Sequence, residues 1–112
     1  MLKKIIGGVV LATSLFSITA FAASGYTGDI KTSSGSSHHA LAWTKANDGK
    51  SEAMAYVAIY DRNGAKLASS NQNYNYGYTQ TETITSARHW GNYAQSRHGA
   101  SWSTAFVLTE KF

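Results

Sequence analysis

The chain has 112 residues, with ten Lys and Arg against six Asp and Glu, and neither cysteine nor proline. Without cysteine there is no disulfide to staple a small fold and no thiolate nucleophile. The basic excess is modest and scattered, unlike the clustered stripe that tracks nucleic acid, so no nucleic-acid partner is expected.

Residues 1–22 read as a cleavable secretory signal. Lys3 and Lys4 form a positive end, an apolar stretch runs from Ile5 through Phe16, and Ala20 and Ala22 flank Phe21 just ahead of a cleavage point before Ala23. The stretch is shorter than the run of about 20 strongly apolar residues that a bilayer span needs, and Gly7, Gly8, Thr13 and Ser14 dilute it. With no second apolar run and no cysteine for a lipid anchor, the mature chain is expected to be secreted, extracellular or associated with the cell surface, and to lack a transmembrane segment. Two of the ten basic residues leave with the signal, and the eight that remain against six acids leave a charge of +2. What is left, about 90 residues, is one domain with one modest core, open to self-association.

Residues 23–37 are rich in Ser, Thr and Gly and read as a flexible N-terminal segment, with one short strand around Tyr26–Thr32. A single β domain spans 38–112. His39–Lys45 places Leu41 and Trp43 on one side of a strand that ends at the turn cluster Asn47-Asp48-Gly49. Ala53–Tyr60 is the most apolar run; its length and its Tyr, Val and Ile content favour strand over helix, and Asp61-Arg62-Asn63-Gly64 closes it with a hairpin signal. A three-residue loop with Gly64 left-handed sets Tyr60 opposite Lys66 and Ile59 opposite Leu67. Tyr74, Tyr76 and Tyr78 alternate and share one face if that stretch is extended. Thr79–Ser86, His89–Ala94 and Ser101–Thr109 read as further strands. Six to seven short strands with no amphipathic helix predict an all-β fold, a small antiparallel β-sandwich or barrel.

Catalytic chemistry finds little support. The chain has no G-x-S-x-G elbow, and Asp29, Asp48 and Asp61 fall in expected loops or turns, leaving Glu82 as the acid placed within a strand. His38 and His39 are adjacent and point to opposite faces of a strand, and no spacing among them, His89 and His98 announces a metal site. No enzyme activity, cofactor or metal is therefore expected. Aromatic residues are the more telling feature. Tyr and Trp join a flat apolar face to a polar handle, which suits partly exposed contact surfaces. The candidate binding residues are Tyr74, Tyr76, Tyr78 and the two Arg-His pairs Arg88-His89 and Arg97-His98, which a turn at Gly91-Asn92 would bring together. The three tryptophans are assigned to the core.

The leader, the mature size, the Ser-, Tyr- and His-rich start with His38-His39, the strand Ala55–Tyr60 before a turn and the aromatic C-terminal strand resemble the small cysteine-free bacteriocins of the lactococcin type. Where those proteins carry a Trp and Gly motif soon after cleavage, this chain has Gly25-Tyr26. The resemblance implies a β-sandwich that acts on a lipid-linked cell-wall precursor. The function expected from the residues themselves is non-catalytic binding at a cell surface or envelope, to a component such as a glycan or a lipid-linked precursor; an antibacterial protein acting on a cell-wall component is the alternative.

Overall fold

The computed structural model describes residues 17–23 and 25–112. Most of the expected leader, 1–16, lies outside the described residues. The described residues form ten strands and no helix: β1 (Ser17–Ala23), β2 (Tyr26–Ser34), β3 (Ser37–Ala46), β4 (Glu52–Tyr60), β5 (Lys66–Ser69), β6 (Asn73–Tyr76), β7 (Tyr78–Gln80), β8 (Ile84–Ala87), β9 (Tyr93–Gly99) and β10 (Phe106–Lys111). They pair antiparallel in two five-stranded sheets. One runs β1-β2-β3, with β7 and β8 sharing the far edge of β3; the other runs β10-β9-β4, with β5 and β6 sharing the far edge of β4. The all-β sandwich expected from the sequence is what forms, with more and shorter strands than the six or seven read from it.

The extra strands arise where two long edges are each served by two half-strands, and the breaks are built alike. Between β5 and β6, Ser70 bonds Val57 twice: its N–H donates to the Val57 carbonyl at 2.8 Å, and its Oγ accepts from the Val57 N–H at 3.0 Å. Between β7 and β8, Thr81 does the same with Ala42, at 2.8 and 3.0 Å. Both hydroxyl residues are buried. Each supplies the acceptor that an interrupted ladder would otherwise leave missing, so no buried N–H is orphaned at the break.

Alternation decides what each sheet buries. Ile30, Ala40, Ala42 and Ile84 from one sheet meet Val57, Ile59, Ala94 and Leu108 from the other. Ile30 is fully buried within β2, so the short strand expected around Tyr26–Thr32 forms, runs on to Ser34 and contributes to the core. The core is made of small and branched aliphatic side chains, and the tryptophans expected there lie outside it: Trp90 is 82% exposed, Trp102 38% exposed and Trp43 half-buried on an outer face. With alanine at all three positions that β3 and β9 contribute to this aliphatic core, there is no room between the sheets for an indole. Buried beside Trp43 on the outer face of the first sheet is an ion pair, Lys31 Nζ to Asp29 Oδ2 at 2.7 Å, with the ammonium 5.2 Å from the Trp43 ring centre.

The hairpin after β4 has the loop read from the sequence. Asp61 accepts the Gly64 N–H on its carbonyl and the Asn63 and Ala65 N–H groups on Oδ1, and Gly64 takes φ +87°. Tyr60 pairs with Lys66 as expected. Ile59 pairs with Ala68 and not with Leu67, because a bulge lies between these two pairs and Leu67 becomes the extra residue. Two expected strands are shifted: His89–Asn92 is a connection that precedes β9, and 100–105 is a turn that precedes β10.

Candidate functional site

The outer face of the second sheet carries the aromatic surface. Along β4, Val57 and Ile59 point into the core, so Met54, Tyr56, Ala58 and Tyr60 point outward. Pairing sets Tyr76 beside Glu52, Tyr74 beside Met54, Arg97 beside Tyr56 and Tyr93 beside Tyr60. From Glu52 to Tyr60 this strip is roughly 27 Å long at the usual strand rise. The turn after β9 folds back over it, packing Ala105 against Met54, Tyr56 and Ala58.

Ring contacts hold this face in one arrangement. Trp102 meets Tyr56 edge-on at 4.9 Å, and Tyr60 stacks on Tyr93 at 5.4 Å. The Arg97 guanidinium lies 4.2 Å over the Trp102 ring, and its Nη1 donates to the Trp102 carbonyl at 3.4 Å. Between these groups lies a cleft of about 130 Å³ lined by Tyr56, Tyr60, Lys66, Gln95, Arg97 and Trp102. Its walls are aromatic, and its polar groups are two cations and an amide. Burial, with the neighbouring Tyr56 adding, raises the Tyr60 pKa, so its hydroxyl stays protonated as a donor at neutral pH.

The sequence-derived candidates divide among separate places. Tyr74 and Tyr76 belong to β6 and the aromatic face just described; Tyr78 belongs to β7 in the other sheet, where it stacks on Trp43 at 5.9 Å. Gly77, at φ +82°, is the corner between them, bonded to the Ser51 carbonyl and to the Ala46 N–H. The tyrosines therefore do not form one row. Nor do the Arg-His pairs meet, because β8 lies in one sheet and β9 in the other. Arg97 is on the aromatic face. His98, the next residue, points between the sheets and is fully buried, so it offers nothing to a surface ligand. It is a core histidine: Nδ1 lies 2.9 Å from both the Trp43 carbonyl and Thr44 Oγ1, Nε2 lies 2.6 Å from Ser96 Oγ, and burial drives its pKa down to about 4.

Arg88 and His89 lie at one end of the sandwich, in the connection between β8 and β9. Arg88 Nη1 donates to the Gly35 carbonyl at 2.7 Å. His39 faces outward and contacts Thr85 Oγ1 at 2.9 Å, so His39, His89 and His98 do not converge, and no group of three His, Asp or Glu residues suited to a metal occurs among the described residues. Of the acids, Asp48 caps its own turn; bonds from the Ser51 side chain and from the backbone of Ser51 and Lys50 lower its pKa to about 2. Glu82 is also lowered, by its own backbone N–H and by Asn71 and Asn73.

Sequence reasoning missed Tyr60, Tyr93 and Trp102 as a surface laid over the buried Tyr56. The signal was present: Met54, Tyr56 and Tyr60 alternate with Val57 and Ile59 inside an apolar run, and the bulkier aromatic set is the outer one. Comparison of the chain with protein-family models, with curated proteins and with solved structures found no match.

Proposed function

We propose that this chain is an exported, non-catalytic binding module that holds a cell-envelope glycan on the outer face of its second sheet. The observation that carries the reading is the aromatic strip itself: Tyr60 backed by Tyr93, and Trp102 set edge-on against the buried Tyr56, border a cleft with Lys66, Gln95 and Arg97. Sugar rings present apolar C–H faces flanked by hydroxyls, and locked aromatic planes bordered by amide and cationic donors complement both parts at little cost in side-chain entropy. The reading also accounts for the acids. Asp48 and Glu82 have lowered pKa values, opposite to the raised value that a general acid needs near neutral pH.

Export is part of the proposal. Cleavage before Ala23 removes six of the seven residues of β1 (17–22) and leaves β2 as the edge of a four-stranded sheet. The aromatic strip lies on the other sheet and keeps every strand it uses.

Sedimentation of the mature protein, residues 23–112, with isolated bacterial cell walls tests the reading. The double variant Tyr60→Ala/Trp102→Ala is expected to bind at least tenfold more weakly. Tyr78→Ala, on the opposite sheet, is expected to bind like the parent. Equal binding by all three proteins removes the aromatic strip as the site.

A further inference from the structure

Among the groups that line the aromatic cleft, hydrogen-bond donors outnumber acceptors. Lys66 and Trp102 are exposed, and Tyr60, Gln95 and Arg97 are partly so, which leaves each within reach of a ligand. Among the described residues, neither the Tyr60 hydroxyl nor the Lys66 ammonium has a hydrogen-bond partner, and neither Lys66 nor Arg97 is in an ion pair. Arg97 gives one N–H to the Trp102 carbonyl, out of the five that a guanidinium carries. Gln95 faces the opposite way chemically. Its Nε2 donates to Thr109 Oγ1 at 3.2 Å, so its oxygen is what it offers a ligand.

No Asp or Glu lines the cleft to offset the two cations. Strand pairing brings them there: Lys66 lies opposite Tyr60, and Arg97 opposite Tyr56. Burial dominates the Tyr60 pKa, but Lys66 and Arg97 each pull against it, so both charges are close enough to act on that hydroxyl. Arg97 is also held in place by the Trp102 ring, 4.2 Å beneath its guanidinium.

We propose that this cleft selects an acidic glycan, holding an oxyanion of the sugar, a carboxylate or a phosphodiester, between Lys66 and Arg97 while the ring packs on Tyr60 and Trp102. The proposal rests on the glycan-binding reading above and names the class of glycan. An oxyanion accepts from the ammonium, the guanidinium and the Tyr60 hydroxyl, and a neighbouring sugar hydroxyl donates to Gln95. Bonds of the first two kinds are charge-assisted, and are about twice as strong as the neutral ones a plain sugar makes. An amino sugar brings its ammonium against two like charges. The cleft is open to solvent, so screening holds the preference to about tenfold.

Calorimetric titration of the exported protein tests this with a galacturonic acid trimer and a glycerol phosphate oligomer, against maltotriose and a glucosamine trimer. At least one acidic oligomer is expected to bind saturably, about tenfold or more tightly than maltotriose or the glucosamine trimer, and to weaken in about 0.5 M sodium chloride. Which acidic oligomer binds tells carboxylate from phosphodiester. Lys66→Gln and Arg97→Gln are each expected to weaken that binding at least fivefold. Lys45→Gln, an equal loss of charge on the opposite sheet, is expected to leave it unchanged. Lys66 is exposed, so its replacement leaves the fold intact; thermal unfolding checks both variants, and Lys66→Gln decides if Arg97→Gln unfolds. No saturable binding of either acidic oligomer, equal binding of maltotriose or the glucosamine trimer, or the same loss for Lys45→Gln as for Lys66→Gln overturns the proposal. If the acidic preference is missing while cell-wall binding still depends on Tyr60 and Trp102, the charge selection falls and the aromatic strip stands. If acidic oligomers bind but ignore Tyr60→Ala/Trp102→Ala, both fall.

Discussion

Single hydroxyls and one imidazole hold this molecule together at points where a side chain of the wrong kind would leave a buried group unmet. Ser70 and Thr81 each supply an acceptor to a core-strand N–H, of Val57 and Ala42 respectively. Ser70→Ala and Thr81→Val remove the acceptor and leave the N–H buried, so each is expected to destabilise the fold by about 1–3 kcal/mol. Urea denaturation measures this, with the exposed Ser69→Ala expected to stay within about 0.5 kcal/mol of the parent. Losses for Ser70 and Thr81 no larger than for Ser69 contradict the role given to them. His98 works through its neutral form. Its pKa falls from an ordinary 6.5 to about 4 through burial, so between those pH values the unfolded chain binds a proton that the folded chain does not. Stability from this group is complete above pH 6.5 and is lost as pH falls toward 4, by up to roughly 3 kcal/mol. His38, lowered chiefly by burial with Arg88, His39 and His89 adding, acts in the same direction. Denaturation midpoints at pH 7.5 and pH 4.5 are expected to show the loss, and His98→Gln to reduce the difference between them; a flat profile contradicts it. Gly28 belongs to the same arrangement, since a Cβ there would overlap the His98 ring.

At the scale of elements, what the sequence discloses depends on whether the signal is local. The turn Asp61–Gly64 and the turn after β3 are readable because Asp and Gly carry the geometry themselves, through side-chain acceptors and positive φ. The run of β4 is readable because it is long and apolar. Gly77 is not: a lone glycine in a polar, aromatic stretch suits an extended strand or a corner equally well. The choice is made by Ser51 and Ala46, whose backbone groups bond it from distant positions. The burial of tryptophan was misread for a related reason. Residue type predicts a preference for the interior, whereas the alanines facing each other across the sheets leave a gap that only small side chains fill. The strand β1 raises a test of its own, because it spans the expected cleavage point between Ala22 and Ala23. Mass spectrometry of the exported protein is expected to find Ala23 at its N-terminus. In hydrogen exchange, the β2 amides directed at β1 should then exchange fast while those directed at β3 stay protected. An exported protein that keeps residues 17–22, or uniform protection along β2, contradicts cleavage before Ala23.

For the whole molecule, the two sheets divide the work. Their inner faces interlock through aliphatic side chains and the buried His98 group, and the outer face of the second sheet concentrates aromatic rings with Arg97, Lys66 and Gln95 among them. That the chain would bind through aromatics could be argued from its sequence; which aromatics could not, because membership of a face depends on strand pairing that Gly77 and the Leu67 bulge redirect. The central claim is that the second sheet's outer face holds an envelope glycan, and cell-wall binding of residues 23–112 tests it most directly. Tyr60→Ala/Trp102→Ala is predicted to lower the affinity at least tenfold with the fold intact, and Tyr78→Ala to leave it unchanged. Binding that survives the double variant, or that falls only when Tyr78 is replaced, contradicts the claim.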